Sequence, residues 1–168
     1  MSLVNEREIY LAGGCFWGMQ GYFRQLEGVL ETKVGYANGK GVDVNYQTIK
    51  ATDHAETIYI RYDESKIDLE TLLAHYFRVI DPTSIDKQGE DRGRQYRTGI
   101  YYVDSNDRDI IERYINKEQE RYDSPIVVEV EPLENFVLAE DYHQDYLEKN
   151  PNGYCHINLS LAKKPLNK

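Results

Sequence analysis

The sequence predicts an α+β fold: a mixed sheet with helices packed on it and long loops between the elements. Three observations predict it. Several short segments alternate apolar and polar residues with period two, and others repeat apolar residues at helical spacing. The two kinds interleave without the regular strand-helix repeat that a doubly wound parallel sheet requires. At 168 residues the chain has the size of a single domain, taken here as residues 1–168. A chain of that length buries about 70% of its unfolded surface, so it needs neither a disulfide framework nor a structural metal.

Glu8 to Ala12 reads as the first strand. It breaks at Gly13-Gly14, after which Phe16, Met19, Gln20, Phe23 and Leu26 keep helical spacing as far as Gly28. Cys15 therefore stands at a strand-to-helix junction. Leu30 to Tyr36 predicts a second strand, and the alternation through Thr57, Ile58, Tyr59, Ile60 and Tyr62 a third. Between them lies a polar loop of about twenty residues, a length that in a compact domain points to function.

Asp68 is a good N-cap for a helix whose apolar residues Leu69, Leu72, Leu73, Tyr76, Phe77 and Ile80 line one face until Asp81-Pro82 ends it. A second long loop covers Thr83 to Gln95, and an apolar strand follows from Thr98 to Val103. Ser105 opens a charged helix with Ile111, Tyr114, Ile115 and Tyr122 on its apolar face, closed by Ser124-Pro125. Ile126 to Val130 predicts another strand and Ala139 to Lys149 a last helix. From Asn150 onward a loosely held tail is expected. The architecture expected is thus two-layered and ferredoxin-like, with long functional loops.

The net charge of −9, with no basic run longer than a Lys-Lys pair, excludes binding to nucleic acid or anionic membranes by counterion release. No segment approaches the roughly 18 apolar residues of a membrane span, and Met1 to Glu8 has no hydrophobic signal core. A cytoplasmic location is expected. Cys15 and Cys155, 140 positions apart, match neither a zinc pattern nor a secreted disulfide pattern, so no metal is expected. In a reducing compartment they are either reactive or buried and inert.

Three clusters carry candidate chemistry. Gly13-Gly14-Cys15-Phe16-Trp17-Gly18 sets a thiol and the single tryptophan at a predicted helix start, where unpaired amides and partial positive charge ease loss of the thiol proton. A buried, unreactive cysteine beside a core aromatic pair is the other reading of the same residues. His54-Ala55-Glu56 sets a carboxylate at the mouth of the third strand. Drawn into an apolar pocket that raises its pKa by about two to three pH units, it would keep its proton near neutrality, at a cost of about 3 to 4 kcal/mol. Gln88 to Arg97 forms a charged turn with Asp91 and Tyr96 as possible hydrogen-bonding groups. Pairing of Cys15 with His54 or His143 would suit a cysteine hydrolase or acyl transferase, and the 15 tyrosines would suit a binding groove. In the reading preferred here the two histidines are structural: His143 holds the last helix or its neighbours, and His54 serves the backbone around Glu56.

Five blocks, in order, resemble the peptide methionine sulfoxide reductase A family. They are Gly14-Cys15-Phe16-Trp17-Gly18; His54-Ala55-Glu56; Gln88-Gly89 through Asp91-Arg92-Gly93 with Gln95-Tyr96-Arg97; Ala139-Glu140-Asp141-Tyr142-His143-Gln144; and Asn150-Pro151 through Gly153-Tyr154-Cys155. The resemblance implies a reductase for the S epimer of methionine sulfoxide, free or within oxidised proteins. Cys15 would attack the sulfoxide sulfur, Phe16 and Trp17 would wall a pocket for the terminal methyl group, and Glu56 would protonate the departing oxygen. Tyr46 and Tyr96 would hydrogen-bond that oxygen or a site water, and Asp91 would order the network. Cys155 would resolve the Cys15 sulfenic acid as a disulfide. No bound cofactor is implied; thioredoxin, or dithiothreitol in vitro, would be the reductant. The chain departs from the family in having Val44-Asn45 where a proline commonly precedes the tyrosine matched by Tyr46. It also lacks the further cysteine that some members carry after the position of Cys155.

Overall fold

The computed structural model describes residues 5–41, 44–45, 47–88, 91–150, 157 and 159–163, leaving aside the side chain of residue 50. Its elements are β1 (Glu6–Gly13), α1 (Phe16–Phe23), β2 (Val29–Ala37), α2 (Ile49–Thr52), β3 (Ala55–Asp63), α3 (Leu69–Val79), β4 (Lys87–Gln88), β5 (Asp91–Arg92), β6 (Thr98–Tyr102), α4 (Ser105–Glu118), β7 (Glu129–Pro132), β8 (Phe136–Leu138) and α5 (Tyr146–Lys149). Among the described residues the main sheet has the order β7-β6-β1-β3-β2-β8. Its centre, β6-β1-β3-β2, is antiparallel throughout and is threaded β1-α1-β2-β3-α3-β6, the ferredoxin-like pattern. The parallel pairing of β7 with β6 makes the sheet mixed.

Strand alternation decides where the core lies. Ile9 and Leu11 of β1, Val34 and Tyr36 of β2, Ile58, Ile60 and Tyr62 of β3, and Ile100 and Tyr102 of β6 all join one buried cluster with Phe16, Met19, Tyr22 and Phe23 of α1 and the apolar stripe of α3. Asp68 caps α3, its carboxylate accepting from the Thr71 N–H at 2.8 Å. The tyrosines contribute chiefly as packing residues, with Tyr22, Tyr36, Tyr62, Tyr76 and Tyr101 among the largest fully buried side chains.

Four expectations change. Helix α1 stops at Phe23 rather than Leu26, and the chain turns at Gly28 with φ 99°. The strand expected at Ile126 forms three residues later, because the Ile126 N–H is taken by Gln119 Oε1 (2.7 Å) and the Val127 N–H by the Pro82 C=O (2.8 Å). The helix expected over Ala139 to Lys149 is a 3₁₀ turn, Asp141–His143, followed by the single turn α5. Gln144 separates them: its side chain accepts from the Val34 N–H (3.0 Å) and donates to the Val34 C=O (2.8 Å), pinning the chain to β2 where a helix would lift it away. Of the tail expected to be loose, Ile157 is buried and the 3₁₀ turn Leu159–Lys163 packs on α1, so this part is held by apolar contact.

Candidate active site

Strand register brings the site together. Gly13, the last residue of β1, pairs with Thr98 of β6, and Leu11 pairs with Ile58 of β3. Continuing the second register by two residues sets Glu56 level with Gly13. Gly14, at φ 89°, makes the sharp exit from the strand, a conformation that only glycine adopts cheaply. Cys15 follows as the N-cap residue of α1 in extended conformation, its sulfur toward the amides of Trp17 and Gly18.

Glu56 is 2% exposed and accepts a hydrogen bond from the Phe16 N–H at 3.2 Å. The carboxyl therefore sits one peptide unit from the thiol. It is buried because it continues the row Ile58, Ile60, Tyr62 that faces the helices, and Tyr36 of β2 is its register partner. Burial, reinforced by the charge of Asp91 and partly offset by the Phe16 N–H, raises its pKa from 4.5 to about 8.

A thiol at a helix start is expected to ionise easily, and the structure reverses this for the resting site. Cys15 is 7% exposed. Burial pushes its pKa well above the usual range, with the charges of Glu56 and Asp91 adding to it, and the amides of Trp17 and Gly18 pull it back only in part. Two neighbouring groups, thiol and carboxyl, thus both hold protons.

Aromatic rings wall the site. Trp17 stacks on Tyr146 at a centroid distance of 3.7 Å, and its Nε1–H donates to His143 Nδ1 at 3.0 Å. The His143 ring also lies 5.3 Å from that of Phe16, which in turn meets Tyr36 at 5.7 Å. Burial lowers the His143 pKa, favouring the neutral ring that the indole N–H requires. Tyr36 donates to Glu140 Oε1 at 2.7 Å. His143 thus holds Trp17, which stacks on Tyr146 at the start of α5, and Tyr36, Glu140 and Tyr146 had no individual signal in the sequence beyond membership of matched or tyrosine-rich stretches.

Tyr96 and Asp91 belong to the segment around β5 and the 3₁₀ turn Arg94–Tyr96, which packs on β3. Two arginines fix this turn. Arg94 makes a two-pronged ion pair with Asp53 (3.0 and 3.2 Å), and buried Arg97 pairs with Glu129 (3.0 Å) and donates to the carbonyls of Arg94 and Asn38. Asp91 lies close enough to act electrostatically on both Cys15 and Glu56.

His54, fully buried, is engaged by the Thr52 hydroxyl (2.8 Å) and the Gly41 carbonyl (3.0 Å), so the backbone it serves is that of Gly41 and not the stretch around Glu56. Tyr46 and Cys155 lie outside the described residues. Among the described residues no group of His, Cys, Asp and Glu is arranged to hold a metal, and no helix is long and apolar enough to cross a membrane. A buried thiol beside a protonated carboxyl, walled by aromatic rings, is equipped to deliver a nucleophile and a proton to the two ends of one polar bond.

A family model described as peptide methionine sulfoxide reductase matches residues 7–168. Mxr1 from Saccharomyces cerevisiae in reduced form is similar with a TM-score of 0.87 at 35% identity, over 92% of each chain. Methionine sulfoxide reductase A of Corynebacterium diphtheriae is similar with a TM-score of 0.80 at 34% identity, over 90% of this chain and 78% of that one. Mxr1 in complex with Trx2 is similar with a TM-score of 0.62 at 26% identity, over 85% of this chain and 86% of that one. With a family model matching nearly the whole chain and solved relatives at 34 and 35% identity sharing its fold, the chain belongs to the peptide methionine sulfoxide reductase family, whose members are thiol-dependent oxidoreductases.

Proposed function

We propose that this methionine sulfoxide reductase acts on the S epimer, free or within oxidised proteins, with Cys15 as nucleophile and Glu56 as proton donor. The observation that carries the assignment is the Phe16 N–H···Glu56 hydrogen bond, which holds the carboxyl beside the thiol. Cys15 Sγ bonds to the sulfoxide sulfur while the thiol proton and the proton of Glu56 pass to the oxygen, so that the S–O bond breaks and the oxygen leaves as water. Water then attacks Cys15 Sγ, the S–S bond breaks to release the thioether, and a proton returns to Glu56, leaving Cys15 as a sulfenic acid. Trp17 and Phe16 hold the terminal methyl group. Methyl, oxygen and sulfur are then held at three separate points, and a stereogenic sulfur fits such a site in one hand only. Tyr96 and Tyr46 hydrogen-bond the oxygen or a site water, and Asp91 orders the network.

Cys155 then condenses with the sulfenic acid, and thioredoxin reduces the resulting disulfide. Support for thioredoxin comes from the Trx2 complex of the yeast relative. A reducing, cytoplasmic setting suits a thiol pair that must be regenerated at each turnover.

The test is turnover of methionine S-sulfoxide with dithiothreitol, expected in the parent and absent in Cys15→Ser; surviving turnover in the variant ends the proposal. Cys155→Ser is expected to release one methionine per enzyme without reductant and to lose thioredoxin-driven cycling. Undiminished cycling removes Cys155 from the mechanism.

A further inference from the structure

Gln20 sets a polar side chain at an apolar position. It keeps helical spacing with Phe16 and Phe23 on α1 and is 1% exposed. Both polar atoms of its amide are engaged: Nε2 donates to the Thr32 C=O and to Thr32 Oγ1 of β2, each at 3.2 Å, and Oε1 accepts from the Asp145 N–H at 2.8 Å. An amide is buried without penalty only when its hydrogen bonds are replaced in this way. Asp145, the residue before Tyr146, has φ 54°, a left-handed conformation that a non-glycine residue keeps only where its surroundings hold it. Trp17 lies one turn before Gln20 on α1, and Tyr146 stacks on it at 3.7 Å. Trp17, Gln20, Asp145 and Tyr146 thus close a circuit made of a helix turn, a hydrogen bond, a peptide bond and a ring stack.

We propose that Gln20 is a positioning residue for substrate selection: by holding Asp145 in its turn it sets the Tyr146 ring against Trp17 and so fixes the width of the pocket that admits the terminal methyl group. The proposal rests on Trp17 walling that pocket. The segment that carries His143 and Tyr146 is also bound to β2, by Glu140 to Tyr36 and by Gln144 to Val34. Those two points precede the turn at Asp145, whereas Gln20 belongs to the helix that carries Trp17. The two bonds to Thr32 stop the amide from rotating, so Oε1 stays aimed at the Asp145 N–H. An apolar residue of similar size leaves that N–H without its acceptor, the turn relaxes, and the ring loses its fixed place on Trp17. A shaped apolar pocket discriminates one methylene by about 10- to 200-fold, and that selectivity lasts only while the walls are held.

The experiment uses the full chain with dithiothreitol and compares kcat/KM for methionine S-sulfoxide and ethionine S-sulfoxide, the ratio measuring how sharply the pocket separates methyl from ethyl. Trp17 is the single tryptophan, so quenching of its emission by acrylamide reads the same wall without turnover. Gln20→Leu is expected to lower the ratio at least about threefold, with KM for the methyl substrate rising more than kcat falls, and to increase the quenching. Thr32→Val removes one of the two Thr32 bonds, keeps the C=O, and is expected to move both readings the same way by less. Gln20→Glu keeps an acceptor for the Asp145 N–H and takes a hydrogen bond from Thr32 Oγ1, and is expected to hold the parent ratio. Lost stability by itself lowers turnover of both substrates alike and leaves the ratio in place. A parent ratio in every folded form of Gln20→Leu and Thr32→Val overturns the proposal, whatever the quenching shows. If Trp17→Ala also keeps the parent ratio, the assignment of Trp17 to the methyl pocket fails instead, so the two failures are told apart.

Discussion

Glu56→Gln removes one ionisation while keeping an oxygen for the Phe16 N–H, which Glu56 accepts at 3.2 Å. With its pKa raised from 4.5 to about 8 by burial and the nearby charge of Asp91, folded Glu56 keeps a proton that the unfolded chain releases. Stability contributed at this position is therefore greatest at acid pH, falls as pH rises from 4.5 through about 8, and levels off above. Each pH unit inside that window costs about 1.4 kcal/mol. The burden on the parent is about 1 kcal/mol at pH 5, about 3 at pH 7 and nearly 5 at pH 9, as orders of magnitude. The glutamine carries none of it. Urea denaturation of parent and variant across that pH range, read as midpoints at constant slope, is expected to show the variant gaining on the parent by about 2 kcal/mol between pH 5 and pH 7. Activity is expected to fall by a factor of about 100 or more, the usual contribution of a positioned acid. A stability difference that stays constant across the range refutes a protonated Glu56 in the folded protein, whatever the activity shows.

Asp91→Asn removes a charge that raises both Glu56 and Cys15, so the alkaline loss of activity that follows Glu56 deprotonation near pH 8 is expected to move to lower pH; an unmoved pH profile counts against electrostatic coupling of the three groups. Trp17→Phe loses the hydrogen bond to His143 and weakens the stack on Tyr146, and is expected to raise KM several-fold with a loss of about 1 to 2 kcal/mol in stability. An unchanged KM removes Trp17 from the substrate wall. Tyr76→Phe strips a buried hydroxyl that donates to the Ala12 C=O (2.6 Å) and accepts from the Gly99 N–H (3.1 Å) just before the Cys15 turn. Two buried backbone groups lose a partner, and chemical denaturation is expected to register about 1 to 3 kcal/mol; a neutral result shows that β1 and β6 pair there without it.

Local chemistry was legible wherever it repeats along the chain. The apolar spacing and the Asp68 cap predict α3, the alternation predicts the central strands, and Gly13-Gly14 before Cys15 predicts the strand-to-helix turn. The resemblance pointed to the same thiol and carboxyl that the fold brings together. Less legible were the segments whose hydrogen bonds go to distant partners: the strand expected at Ile126, delayed by Gln119 and Pro82, and the helix expected after Ala139, dissolved by the grip of Gln144 on Val34.

Sequence by itself determined which residues could be chemically active and which face of each element had to be buried, because both follow from side-chain type and a period of two or 3.6. Tertiary structure alone decided that Glu56 would meet the residue after Cys15 across 40 positions, that Trp17 would find His143 across 126, and that burial would outweigh the helix start in setting the state of the thiol. Those outcomes depend on strand register and on how much water the packed helices exclude, and both are settled only when the whole sheet and its cover assemble together.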